Sequence, residues 1–106
     1  MTLNEYQDKA QVTATYRDKI IYPSLGLAGE TGEVCEKVKK VLRDNHGYFT
    51  EIKREEIKKE IGDVLWYVQA LAHDLGFTLE EVAQGNIDKL TSRKERNVIN
   101  GEGDNR

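Results

Sequence analysis

Between Ile57 and Leu75, the apolar residues Ile57, Ile61, Val64, Leu65, Val68, Leu71, Ala72 and Leu75 recur every three or four positions. That is the period of one face of an α-helix, not of a strand. No stretch of the chain alternates in strand fashion over a useful length, and Pro23 is the single proline. Such a chain must hide helix faces against other helices, so the fold class is all-α. Local signals divide it into four helices. Thr2 with Glu5 makes a capping box that opens a first helix, expected to run to about Lys19. The segment IIYPSLG breaks it, because Pro23 disfavours helix at Tyr22. A second helix is expected from about Leu25 to Asn45. It ends at a His46-Gly47 turn, where Gly47 suits a left-handed position. Thr50 caps a third helix over about 51–75, ended by Gly76, and Thr78 with Glu81 opens a fourth over about 79–96. The expectation is a four-helix bundle, or a pair of hairpins that dimerises, with a domain over 1–97 and a flexible tail over 98–106.

The second helix carries an anomaly. In GLAGETGEVCEKVKK, residues 26 to 40, Gly26, Gly29 and Gly32 each weaken a helix interior by roughly 1 kcal/mol relative to Ala. Glu30 and Glu33 lie between and beside them, one turn apart on one face, where like charges repel. The third helix repeats the theme with Glu60 and Asp63, set beside its apolar stripe. The two pairs centre on residues 31.5 and 61.5, so their midpoint, 46.5, falls in the His46-Gly47 turn. Helices joined by a short turn are antiparallel neighbours, which brings the pairs to about the same height. Four carboxylates converging at a core edge lose hydration and repel one another. A hard divalent cation with oxygen ligands, Mg²⁺ foremost, neutralises such a group. The glycines then either admit a close neighbour or merely loosen the start of the helix. The competing reading is a solvated acidic face offset by Lys37, Lys39, Lys40, Lys58 and Lys59. No Glu-x-x-His motif supports a di-iron centre, and DNHG at 44–47 is a poor start for a calcium loop. His46 and His73 therefore read as surface or turn residues.

On the fourth helix, Asn86, Lys89 and Arg93 share a face that fits either a triphosphate or plain solvent. Tyr67 lies one turn beyond Asp63, placed to reach a substrate oxygen or only to pack. Trp66 reads as core or interface, with base stacking open.

Composition sets the outer bounds. With 106 residues the chain is one domain, and 33% charged residues leave a modest core that oligomerisation would help. A net charge of −3 argues against a nucleic-acid binder. Cys35 is alone, so no intrachain disulfide forms and a reducing interior fits. Neither a signal peptide nor an apolar run of bilayer-spanning length is present, so a soluble cytoplasmic protein with no membrane partner is expected.

GLAGETGEVCEKVKK, KKEIGDVLWYVQALAHDLG and NIDKLTSR together resemble the MazG-like family of all-α nucleoside triphosphate pyrophosphohydrolases, in its small single-domain form. The family's ExxE and ExxD hallmark is matched by Glu30, Glu33, Glu60 and Asp63. The resemblance implies Mg²⁺-dependent conversion of (d)NTP and water to monophosphate and pyrophosphate, with Mn²⁺ as a substitute. It gives the four acids a metal-holding role, and gives Glu30 or Glu33 the further task of activating water. Asn86, Lys89 and Arg93 match its later phosphate- or sugar-binding motif, and Tyr67 a sugar-contacting position. Relatives assemble as homodimers or homotetramers. Two alternatives stand beside this: a non-catalytic helical interaction module, and a relative acting on another nucleotide such as phosphoribosyl-ATP.

Overall fold

The computed structural model describes residues 1–106. It contains four helices, α1 (Leu3–Gln11), α2 (Ile21–Asp44), α3 (Glu51–Asp74) and α4 (Leu79–Glu95), and no strand. The all-α class follows the helical periodicity. The capping box at Thr2 and Glu5 forms, and Thr50 and Thr78 cap α3 and α4 by accepting from Lys53 N and Glu81 N.

Two boundaries differ from expectation, and both lie at the same junction. α1 stops at Gln11, well short of Lys19. Thr13 turns its hydroxyl back onto the Ala10 carbonyl at 2.7 Å, a side-chain bond that competes with helix continuation. Conversely, α2 begins at Ile21 and takes Pro23 into its first turn. A first-turn proline loses no hydrogen bond, because that N–H has no intrahelical partner. Between them, residues 12–20 form a loop that ends with Ile20 at φ 68° and ψ −55°, a γ-turn conformation closed by the Ile21 N–H on the Lys19 carbonyl and costly for a β-branched residue. One carboxylate holds it there. Asp74, at the end of α3, accepts the Ile20 N–H at 2.9 Å and the Tyr16 hydroxyl at 2.7 Å.

α2 and α3 form a long antiparallel hairpin closed by His46 (φ 53°) and Gly47 (φ 78°). Its register is marked by the Lys37–Glu56 ion pair at 3.9 Å, two residues equidistant from the midpoint of the turn. α1 and α4 gather at the far end of α3, where Gln7 is the staple. Its side chain is 5% exposed. Its amide donates to the carbonyls of Gln69 (3.3 Å) and Phe77 (3.2 Å), and its oxygen accepts from Leu79 N (3.0 Å). Asn4 adds an exposed pair of bonds to Glu80. α4 packs on α1 and α3 and does not touch α2. No helix is long and apolar enough to cross a membrane.

The core is small: Ala10, Val41, Ala70, Ala72 and Leu79 are its buried apolar residues. Much of the α3 stripe lies open, with Ile61 55% and Leu75 50% exposed. The chain presents 7941 Å² with a radius of gyration of 16.6 Å. A compact monomer of 12.1 kDa presents about 6,000 Å² at about 13 Å.

The staple can be measured. Gln7→Ala orphans the Leu79 N–H and the Phe77 carbonyl, and should destabilise the chain by about 2 kcal/mol in denaturant unfolding. Asn4→Ala, which loses only exposed bonds, should cost a fraction of that. Equal losses would show that Gln7 is not the fastening point.

Candidate functional site

Glu60 and Asp63 share a face of α3 because they are three residues apart, and the hairpin register sets Glu30 of α2 opposite Asp63. One carboxylate oxygen from each of Glu30, Glu60 and Asp63 lies within 4.8 Å of the others. Glu33, the fourth acid, is exposed on the next turn of α2 and falls outside this tight group. The carboxyl of Glu30 is held above the usual range, first by desolvation and then by Asp63, Glu60 and Glu33.

None of the four acids has a hydrogen-bond or ion-pair partner. Of the five lysines that would make this an ordinary solvated face, three are engaged elsewhere: Lys37 with Glu56, Lys39 with Glu36 at 2.7 Å, and Lys58 with Glu55 at 3.2 Å. Lys40 and Lys59 make no ion pair. The result is a set of hard oxygen donors, close together, uncompensated and free of nitrogen or sulfur ligands. That set fits Mg²⁺ or Mn²⁺ and not a soft metal.

The carboxylates open onto aromatic walls. A cleft of about 370 Å³ is lined by Thr13, Glu30, Asp63, Trp66 and Tyr67. It shares Thr13, Trp66 and Tyr67 with a second cleft of about 340 Å³, which adds Tyr16, Tyr22, Arg17 and Asp18. Tyr16 stacks on Tyr22 with ring centroids 4.9 Å apart, and Trp66 meets Tyr67 edge-on at 5.0 Å. The Trp66 indole N–H donates to Thr13 Oγ1 at 2.8 Å. The Tyr67 hydroxyl titrates above its ordinary range, through the Tyr22 hydroxyl beside it, burial, and the nearby Glu30 and Asp63 charges.

Gly26 explains one of the three weakening glycines in α2. A Cβ there would lie 2.1 Å from Tyr67 Cε1, so only glycine lets the ring seat against the helix. Gly29 and Gly32 face open space instead.

The basic residues of α4 are not brought to the carboxylates within this chain. Asn86 is exposed. Lys89 Nζ donates to Asp104 at 2.8 Å, and the buried Arg93 donates to the Asp104 carbonyl (2.6 Å) and carboxylate (3.1 Å). Residues 98–106, expected as a flexible tail, here fold back along α4. Arg106 donates to the carbonyls of Val98, Ile99 and Gly103. The Asp104 carboxyl is held below its usual range by Lys89 and then Arg93.

Sequence reading missed Thr13, Tyr16, Arg17, Asp18, Tyr22 and Asp74. The available signal was the tyrosine pair Tyr16 and Tyr22, obscured because Tyr16, Arg17 and Asp18 fall within the first helix as expected to about Lys19, whereas α1 ends at Gln11 and they lie in the loop before α2.

A family profile for the MazG nucleotide pyrophosphohydrolase domain matches residues 24–98. The chain belongs to that family, whose members are generally dependent on divalent metals, and membership points to nucleotide pyrophosphohydrolase activity in general. It is 45% identical to the Gene 37 protein of Mycobacterium phage L5 over 114 residues, covering 100% of both chains, and that relative's name specifies no substrate. No solved structure gives a significant match.

Three outcomes follow from the geometry. Mg²⁺ should raise the melting temperature of the protein by relieving carboxylate repulsion. Glu60→Gln should melt higher than wild type without metal and lose most of that Mg²⁺ response; an undiminished response would remove Glu60 from the metal set. Gly26→Ala should lower the melting temperature despite the better helix propensity of Ala, because Tyr67 is displaced; a gain of about 1 kcal/mol would mean that the ring gives way freely.

Proposed function

We propose that the protein hydrolyses nucleoside triphosphates, ribo or deoxy, to the monophosphate and pyrophosphate with Mg²⁺, for which Mn²⁺ can substitute. The observation that carries this reading is the uncompensated group Glu30, Glu60 and Asp63 opening directly onto an aromatic cleft. A triphosphate is repelled by bare carboxylates, so these residues serve it only by holding cations against it. Divalent cations supply the charge that draws in the phosphates and lowers the pKa of water. Glu30, Glu60 and Asp63 would hold them, with Glu33 at the edge of the group. Glu33 lies outside the tight trio, which leaves its carboxylate available to orient the attacking water and take its proton. The water oxygen bonds to the phosphorus nearest the sugar, the bond from that phosphorus to the bridging oxygen breaks, and pyrophosphate leaves. Tyr67, in the wall beside Glu30 and Asp63, meets the sugar.

Charge accumulates on the departing pyrophosphate, and Lys89 and Arg93 are suited to bind it. Their grip on Asp104 supports this, since it shows the pair clasping an oxyanion. Because α4 does not touch α2 of its own chain, the basic face acts on the site of a neighbouring copy. The exposed α3 stripe and the extended shape support a homodimer or homotetramer built from domain 1–97.

Incubation with the common (d)NTPs and Mg²⁺ should release monophosphate and pyrophosphate; phosphoribosyl-ATP belongs in the panel. Orthophosphate as first product, or no turnover of any compound, would reject the activity. Glu60→Gln and Lys89→Ala should each be inactive alone and regain turnover when unfolded and refolded together. Failure to complement, with both variants still assembled, would place the two groups in one chain's site.

A further inference from the structure

The second cleft is joined to the carboxylates, and its construction differs from theirs. Four rings line it, and three of them are fixed by contacts that do not use up the cleft. Trp66 is held through its indole N–H by Thr13, which also closes α1. Tyr16 is held through its hydroxyl by Asp74, the same carboxylate that pins Ile20 at its positive φ. Tyr67 is seated against the bare backbone of Gly26. Rings fixed in this way need little ordering when a flat ligand arrives, and flat aromatic walls stack nucleobases with little regard to sequence. The volume, about 340 Å³, lies within the usual range for small-molecule sites.

Discrimination has to come from the polar groups of the cleft. The charged ones are Arg17 and Asp18, and neither side chain makes an ion pair. An ionised carboxylate only accepts hydrogen bonds, so it favours a base edge that carries an amino group. A base edge of carbonyl oxygens flanking one N–H, as in thymine and uracil, sets lone pairs against it. Arg17 only donates, and suits a neighbouring ring nitrogen or carbonyl on the same edge.

We propose that this aromatic cleft is the nucleobase site, and that Asp18 makes the protein prefer bases with an exocyclic amino group over thymine and uracil. This rests on the pyrophosphohydrolase reading for the placement of the phosphates at Glu30, Glu60 and Asp63. The preference itself can be read without turnover.

Trp66 is the single tryptophan, so its emission reports directly on the cleft. With Mg²⁺ present, the best-bound of dAMP, dCMP and dGMP should quench it and bind more tightly than dTMP or dUMP. Deoxyribose 5-phosphate, which lacks a base, should leave it unchanged. Asp18→Asn should keep the wild-type fold by circular dichroism, since the side chain is exposed, and should narrow the amino-over-carbonyl preference by about tenfold. Quenching by the sugar phosphate alone, no quenching by any nucleotide, or an unchanged preference in Asp18→Asn would overturn the assignment. If triphosphates are cleaved but the preference does not move, the base site fails and the activity stands. If the preference behaves as stated but nothing is cleaved, the base site stands and the activity fails.

Discussion

Three carboxylates held within 4.8 Å of one another, with no cation on the chain to answer them, are the constraint around which the structure is arranged. Glu30 resists losing its proton, first because it is desolvated and then because Asp63, Glu60 and Glu33 repel its charge. The chain has 16 basic residues and places lysines one turn from several acids, so neutralisation in place was available to it. Instead Lys37, Lys39 and Lys58 are committed to Glu56, Glu36 and Glu55. A site left uncompensated in this manner is disposed toward external positive charge, and its strength as a binding site is the same energy that it withholds from the apo fold.

Keeping those charges together requires rigid support, and it comes from two kinds of fastening. The α2–α3 hairpin sets the height of the acids through its turn and the Lys37–Glu56 pair. The polar residues Gln7 and Asp74 fix the rest from positions where water is largely excluded. Gln7 joins α1 to the α3–α4 turn, and the Asp74 side chain, 3% exposed, gathers the loop between α1 and α2. Burial alone would raise the Asp74 carboxyl, but the Ile20 N–H and the Tyr16 hydroxyl outweigh it and hold the group below its usual range. With so few buried apolar residues, such bonds matter more here than in a chain with a large core.

What could be read in the sequence was whatever local chemistry repeats. Three threonine caps, a helix stripe and two acidic pairs mirrored about a turn are each set by neighbours a few residues away, and the helices and the meeting of Glu30 with Glu60 and Asp63 followed. The parts that were not legible depend on distant partners. Thr13 ends α1 by bonding its own helix, yet the loop beyond it takes its path from Asp74, 54 residues after Ile20. Gly26 was visible as a weak point in α2, but its reason lies in a ring on α3. Asn86, Lys89 and Arg93 were legible as a shared face fit for a triphosphate or for solvent, and nothing nearby announced that Lys89 and Arg93 would hold Asp104.

The bond from Asp74 to the backbone of Ile20 has a wider implication. Tyr16, Arg17 and Asp18 ride on a segment whose far end is tethered to one acid at the opposite terminus of another helix, against the torsional preference of a β-branched residue. Loss of that tether would let the segment relax, and the mouth of the cavity would move with it. Variation at position 74, touching no ligand, would therefore surface as altered ligand choice before it surfaced as unfolding.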